Sequence, residues 1–330
     1  MSSAPFFTLA IPTFNRAEML RPCLESLVRQ SFKDFEIIVA DNASTDGTPA
    51  VVKAIADPRV KYCRHAKNIG GFLNLIFASQ QGQGQVIIIH QDDDFLHHEF
   101  LQRCHDCMSR DPGISVYGTA ALAGNAVTGY TSRVQPDLSG QGRTDYPLHD
   151  EPLVLDGRRM AARFLVSHFI NHPAIAFRRS VLEQVGGYCA DGSCFGDLVT
   201  IPKVMSAGKV GYDPRIGGVG QVHATQLSKT MTKQERAAWA GKSFRLQVEI
   251  MEKWVPGWEA LLASELAALP TPDFFHMLKD TVGFDAPQSF VRILWQKCLD
   301  DYPSRLKLAR KLGSRIGIKN TARLLLRMAD

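Results

Sequence analysis

Short apolar runs alternate with stretches of helical spacing through the first third of the chain. The runs are Phe7 to Ile11, Glu36 to Ala40, Val60 to Cys63 and Gln85 to Ile89, and their alternation with helical segments predicts a parallel sheet with crossover helices. Met19, Leu20, Cys23, Leu24, Leu27 and Val28 fall on one face of the first helix, and Asn15 with Glu18 has the spacing of a capping box. Pro22 inside that pattern predicts a kink or a later start. A second helix is expected from Thr48 as N-cap, with Pro49 at the first helical position, where its missing N–H costs nothing. From Ser115 to Pro152 no period holds, which reads as strands joined by a mobile loop near Pro136 to Tyr146, a candidate lid. Helical spacing returns at Arg158 to Val166, followed by a strand at Ala174 to Phe177, a helix over Arg179 to Val185 ended by Gly186 and Gly187, and another helix after Asp197. From about Met231 the pattern is helical almost throughout, broken by Pro256, Pro270, Pro272, Pro287 and Pro303.

Composition changes this picture only modestly. With 330 residues, 45% hydrophobic and 22% charged, the chain is long enough for a full core and reads as an ordinary globular protein. Its start lacks the basic and apolar regions of a secretory signal, and no segment approaches the uncharged apolar length that spans a bilayer. Seven cysteines without framework spacing imply a reducing compartment, taken as cytoplasm. Cys104 and Cys107 form a CxxC on a predicted helix without a second pair at zinc spacing, so core packing is expected of them. The net charge of +5 is small, yet Arg305 to Arg327 carries many Lys and Arg and no acids, interleaved with Leu306, Leu308, Leu312 and Ile316. That tail suggests peripheral contact with an anionic membrane surface at the inner face, or packing on the rest of the chain. It carries no nucleic-acid-binding motif, and no nucleic-acid partner is expected.

The densest chemical signal is Gln91-Asp92-Asp93-Asp94-Phe95-Leu96, directly after the apolar strand Val86 to Ile89. Adjacent carboxylates repel one another and call for solvent or an offsetting cation. At the carboxyl end of a parallel strand, where ligands bind, a divalent cation shared with a diphosphate suits them. A solvated turn or a helix cap is the plainer reading of such a run taken alone.

Ahead of the run stand Ile11-Pro12-Thr13-Phe14-Asn15-Arg16, then Ile37-Ile38-Val39-Ala40-Asp41-Asn42-Ala43-Ser44-Thr45-Asp46-Gly47-Thr48, then Lys67-Asn68-Ile69-Gly70-Gly71. In that order, over roughly residues 6 to 228, they resemble glycosyltransferase family 2, inverting enzymes with the GT-A fold. The resemblance implies an α/β, Rossmann-like, mostly parallel central sheet flanked by helices, divided into a nucleotide-sugar half (1–114) and an acceptor half (115–228). A helical C-terminal appendage (229–330) would follow. It implies that Pro12, Thr13, Asn15 and Arg16 line the nucleotide pocket, that Asp41 and Ser44 sit against the base, with Asp41 accepting from an imide N–H, and that Asn68 and Gly70 close the ribose and diphosphate side. The family often has Arg-Asn where this chain has Leu73-Asn74, and its Asp-x-Asp-Asp form places Gln91 first here, with Asp92 and Asp94 as a simple DxD the alternative alignment. Asp92 is then expected near the ribose and Asp94 on a Mn2+ or Mg2+ ion, with Asp93 in either role.

Phe177 to Tyr188 resembles the stretch before the family's acceptor site, and Phe195-Gly196-Asp197-Leu198 stands where the family usually has Glu-Asp. Asp197 is the acid in register for the catalytic base, and Gly196 removes the first carboxylate. Val222-His223-Ala224 resembles the family's His-bearing segment, which makes His223 a metal or diphosphate ligand. The implied activity is inverting transfer from a nucleotide-sugar, a UDP-sugar by preference, to a hydroxyl of a saccharide or lipid-linked acceptor in surface polysaccharide synthesis. A nucleotide-sugar-binding protein without transfer, and a sugar nucleotidyltransferase, are the rival readings.

Overall fold

The first strand, β1 (Phe7–Thr13), is central because it is apolar on both sides. Phe7, Leu9 and Ile11 enter one core and Ala10 the other, as the alternation of side chains along a strand dictates. Strands β2 (Phe35–Asp41) and β4 (Val86–Ile89) flank β1 in parallel and divide the same way: Ile37, Val39, Val86 and Ile88 on one face, Ala40, Ile87 and Ile89 on the other. Strand β3 (Val60–Arg64) adds in parallel to β2 at the edge. Burial on both faces is what a parallel sheet covered by helices requires.

The structure is a computed structural model and describes residues 4–125, 129–134, 152–165, 169–170, 173–189, 196–221, 223 and 232–268. Beyond the parallel strands the sheet is mixed, built from β5 (Phe95–Leu96), β6 (Ile114–Asn125), β7 (Gly129–Val134), β8 (Leu153–Asp156), β9 (Ile175–Arg178) and β10 (Lys209–Gln221). The order is β3-β2-β1-β4-β9-β6-β10-β5, with β7 on β6 and β8 on β10. Strand β9 runs antiparallel to both β4 and β6, while β10 runs parallel to β6 and antiparallel to β5 and β8. Register shifts between Asp213 and Gly218 bend β10, and its end crosses toward the segment that follows β4.

Helices α1 (Ala17–Val28), α2 (Thr48–Ile55) and α4 (Phe100–Arg110) cover the face lined by Leu9 and Ile11. Helices α3 (Gly71–Gln81), α5 (Gly157–Phe164), α6 (Arg179–Gln184) and α7 (Gly196–Ser206) cover the other. Helix α1 runs through Pro22 and packs Leu20, Cys23, Leu24 and Leu27 into the core. Both cysteines of the CxxC are buried on α4.

The expected caps are corrected. Asn15 does not cap α1: it sits at φ 53°, and its Oδ1 accepts the Thr45 N–H at 2.8 Å. Asp46 caps instead, accepting from Ala17 N at 2.9 Å, Thr48 N at 3.0 Å and the Thr48 hydroxyl at 2.6 Å. One exposed carboxylate thus satisfies the first turns of two helices, and Thr48 is the first residue of α2.

Two further helices, α8 (Lys233–Trp254) and α9 (Trp258–Ala268), follow. A capping box starts α8: the Thr232 hydroxyl accepts from Glu235 N at 3.1 Å, and the Glu235 carboxylate accepts from Thr232 N at 2.8 Å. Phe244, Val248, Met251, Trp258, Leu262 and Leu266 join the same core as α5 and α7. No helix among the described residues is long and apolar enough to cross a membrane. The expected loop near Pro136 to Tyr146, the prolines from Pro270 onward and the basic tail from Arg305 lie outside the described residues.

Glu265 of α9 is fully buried and accepts from Arg163 Nη1 at 3.1 Å and from Arg159 Nε, both on α5. Removing one partner of a buried ion pair leaves the other charge poorly compensated. Glu265→Ala is therefore expected to cost about 3–5 kcal/mol, read as a lower denaturation midpoint; an unchanged midpoint would show that this pair does not hold α9 in place.

Candidate active site

After Ile89 the chain turns through His90 and Gln91 into the acidic run. All three carboxylates are buried, Asp92 at 3% exposure and Asp93 and Asp94 at 6%. Anions packed this closely need donors or a proton. Asp92 accepts the Thr13 hydroxyl at 2.7 Å and Arg16 Nη1 at 2.9 Å. Asp93 meets the same Nη1 at 2.9 Å and His223 Nε2 at 2.7 Å. Asp94 accepts the Gln221 backbone N–H at 2.9 Å. Burial raises the Asp92 carboxyl above its ordinary value despite Arg16 and Thr13. Burial, then the neighbouring Asp93, pushes Asp94 up to about 8, with Gln221 offsetting only part. Burial alone would depress Arg16, and the carboxylates of Asp92 and Asp93 outweigh it, so the guanidinium is held above its ordinary value. Fully buried His90 places its ring nitrogens 3.2 Å from Asp94 O and 3.4 Å from Pro173 O, bracing the turn; sequence reasoning passed over it, although it stands just ahead of the run.

A second cluster forms where β1 and β2 end. Asp41 is fully buried; its Oδ1 accepts the Ser44 N–H at 2.8 Å, and its Oδ2 accepts the Tyr62 hydroxyl and faces Arg64 Nε at 3.5 Å. Burial, then the Asp41 contact, raises the Tyr62 phenol, which stays a donor. The Ser44 hydroxyl accepts the Asn15 N–H at 2.9 Å, joining the turns after β1 and β2. Pro12, the penultimate residue of β1, is partly buried. Tyr62 and Arg64, also missed from the sequence, share one side of β3 at the period of a strand, with Arg64 in register with Asp41.

The third cluster is the turn ahead of α3. Asn68 Oδ1 accepts from Asn42 Nδ2 at 3.0 Å and from Gly70 N at 2.8 Å, and Asn42 Oδ1 accepts the Ile69 N–H at 2.8 Å. Gly70 has φ 90° and open space where a Cβ would stand, so backbone conformation favours glycine there. Asn74, preceded by Leu73, is a buried strut: its Nδ2 donates to Ala40 O at 2.8 Å, and its Oδ1 meets His65 Nε2 at 3.0 Å.

Asp197 stands apart from these clusters. It is the second residue of α7, past the cap position, in a first turn where the helix dipole favours a carboxylate. Among the described residues no hydrogen bond ties it to the acidic run. Burial, and then the charge of Asp197, raises the Tyr188 phenol. Asp191 and the acids of Asp137 to Glu151, further options for a base, lie outside the described residues, as do Val222 and residues 224–228.

The described residues contain no group of three or more His, Cys, Asp and Glu side chains arranged to hold a metal unaided. The acidic turn nonetheless suits a hard divalent cation shared with a phosphate ligand, which takes one or two carboxylates from the protein. Asp94, pushed up to about 8 beside Asp93, is the carboxyl such a cation would return to its ionised form. The sequence pairs Asp94 with His223 as ligands; in the structure His223 Nε2 lies 2.7 Å from Asp93 Oδ2, the neighbour of Asp94.

The family described as Glycosyl transferase family 2 matches residues 8–186. A beta-1,3-glucosyltransferase of Campylobacter jejuni, named for GalNAc(5)-diNAcBac-PP-undecaprenol, is 28% identical over 183 residues, 54% of this chain and 54% of that protein. A PGL/p-HBAD biosynthesis glycosyltransferase of Mycobacterium bovis is 25% identical over 284 residues, 79% of this chain and 94% of that protein. Among solved structures, S. aureus TarS 1-349 in complex with UDP superposes with a TM-score of 0.63 at 14% identity, covering 97% of this chain and 90% of that one. The mannosyltransferase PcManGT of Pyrobaculum calidifontis, in complex with GDP-Man and Mn2+, gives 0.55 at 18% identity, covering 98% and 87%. With the family matched over more than half of its length and its sheet superposing on those enzymes, the chain belongs to Glycosyl transferase family 2 and is a glycosyltransferase of the GT-A fold.

Proposed function

We propose that this glycosyltransferase takes a sugar from a nucleotide-diphosphate-sugar, a UDP-sugar by preference, and passes it with inversion to a hydroxyl of a saccharide or lipid-linked acceptor. The observation that carries the reading is the joining of Thr13, Arg16, Asp92, Asp93 and His223 into one partly buried network at the strand ends, with Asp197 set apart on α7. Binding and proton transfer can then be assigned to different residues. Pro12, Thr13, Asn15 and Arg16 line the nucleotide side. Asp41, backed by Ser44, receives the base N–H at the carboxylate now held by Tyr62 and Arg64, and Asn68 with Gly70 closes over the ribose and diphosphate. Asp92 holds the ribose, while Arg16, already between two carboxylates, is placed to turn toward the diphosphate. Asp197 takes the proton of the attacking hydroxyl. A divalent cation, Mn2+ or Mg2+, held by Asp94 and His223 and shared with the diphosphate would offset the charge that builds on the leaving group. The residues to 228 form the catalytic unit in this reading and the later helices brace it.

A panel of UDP-, GDP- and dTDP-sugars with Mn2+ should include one that raises the unfolding midpoint, since only a ligand of the native state does so. Asp94→Asn should abolish the Mn2+-dependent part of that rise; an undiminished rise removes Asp94 from the metal site.

The raised Asp94 carboxyl sets a pH dependence in the presence of a chelator. Between the ordinary value of about 4 and about 8, the folded chain holds a proton that the unfolded chain has released, so this group's contribution to stability falls as pH rises through that window. Asp94→Asn lacks the group, so the stability of the variant minus that of the parent should climb with pH across the window. A flat difference curve by urea unfolding rejects the assignment.

Asp197→Asn keeps size and cannot accept a proton near neutral pH. Donor affinity and thermal midpoint should stay near the parent while transfer falls by a factor on the order of a hundred to ten thousand. Transfer surviving within a few fold moves the base elsewhere, and binding without turnover in the parent itself would favour a nucleotide-sugar-binding protein.

A further inference from the structure

We propose that Phe72 is a positioning residue that sets the start of α7, and with it Asp197, from the nucleotide side of the site. This rests on the reading of Asp197 as general base. Phe72 lies in the first turn of α3, directly after the Asn68–Gly70 turn. Its partly buried ring fills the room beside Gly196: a Cβ at 196 would stand 2.8 Å from Phe72 Cε2 and 3.2 Å from Phe72 Cζ. Tyr188 closes in as well, its Cε1 3.2 Å from the same point and its ring centroid 6.4 Å from that of Phe72. The missing side chain at 196 and the aromatic ring at 72 are therefore complementary in size.

The first turn of α7 is also held by hydrogen bonds. The fully buried Thr200 hydroxyl donates to Gly196 O at 2.7 Å and accepts the Cys189 N–H at 2.9 Å. Gly196 is thus fixed by a ring that reaches over from α3 and by a hydroxyl linked to the segment after Tyr188. Asp197, the next residue, inherits that position. Because packed interiors yield little, a ligand that orders the Asn68–Gly70 turn acts on Phe72 and, through Gly196, on the carboxylate.

The test uses the full chain, Mn2+ and whichever UDP-, GDP- or dTDP-sugar of the panel raises the midpoint most, with release of nucleoside diphosphate to water as the assay. Phe72→Ala should lower kcat on the order of ten- to a hundredfold, the usual cost of a small misplacement of a reacting group. KM for the donor should stay within about threefold, as expected when the lost interaction serves the reacting step rather than binding. Phe72→Leu should keep most of kcat. Gly196→Ala should lower kcat by pushing the ring, and Gly196→Ala with Phe72→Leu should recover it, since the smaller side chain gives back the room. The proposal is overturned if the effects of the two substitutions only multiply, as for independent sites, or if Phe72→Ala raises KM with kcat unchanged. Asp197→Asn measured alongside separates the two ideas: if it keeps kcat, the base assignment and this proposal fall together. If it loses kcat while the 72/196 pair shows no recovery, the base stands and Phe72 is only packing.

Discussion

Three carboxylates buried side by side at the end of β4 cannot all remain ionised without compensation, and much of the surrounding architecture answers that constraint. The Thr13 hydroxyl arrives on β1, Arg16 arrives just before α1, and Gln221 and His223 arrive on and just after β10. These stretches lie far apart in the sequence, and the sheet brings them together at the acidic turn. The bends in β10 follow, since they carry that strand past β6 toward β5 and the turn.

The elements most legible in the sequence were those with a local signature. Strands β1, β2 and β4 announce themselves because both faces are buried, which leaves continuous apolar runs, and the polar turns after them mark the strand ends where ligands gather. Helix α7 and the glycines after α6 were legible for the same reason. The mixed half of the sheet was not, because nothing near β9 or β10 states which distant strand each will pair with. The cap by Asp46 escaped notice because its partner at Ala17 lies 29 residues away, and Asn15, which has the local spacing of a cap, is drawn off to Thr45. Tyr62, Arg64 and Asn42 were invisible in the same way: each is an unremarked polar residue until the fold sets it against Asp41 or Asn68.

The two sides of the site are held by different balances of interaction. The turns after β1, β2 and β4 are joined mainly by hydrogen bonds, which range from the buried Thr13–Asp92 and Asp41–Ser44 contacts to the exposed Asn15–Thr45 contact. The start of α7 is held by packing, with an aromatic ring against Gly196 and a core shared with α8 and α9, as well as by the two hydrogen bonds of the buried Thr200 hydroxyl.

The late arrival of β10 also bears on how the protein is made. In the sequence, Gln221, whose N–H holds Asp94, stands 127 positions after it. A ribosome takes on the order of ten seconds to add that many residues. Throughout that interval the nascent chain carries the acidic turn with one side open, lacking the partner strand for β5 and the histidine for Asp93. The parallel strands β1 to β4 can assemble early, yet the turn is completed only by residues on and just after β10. Translation order thus leaves the acidic turn without its Asp93 and Asp94 partners in any chain released before His223.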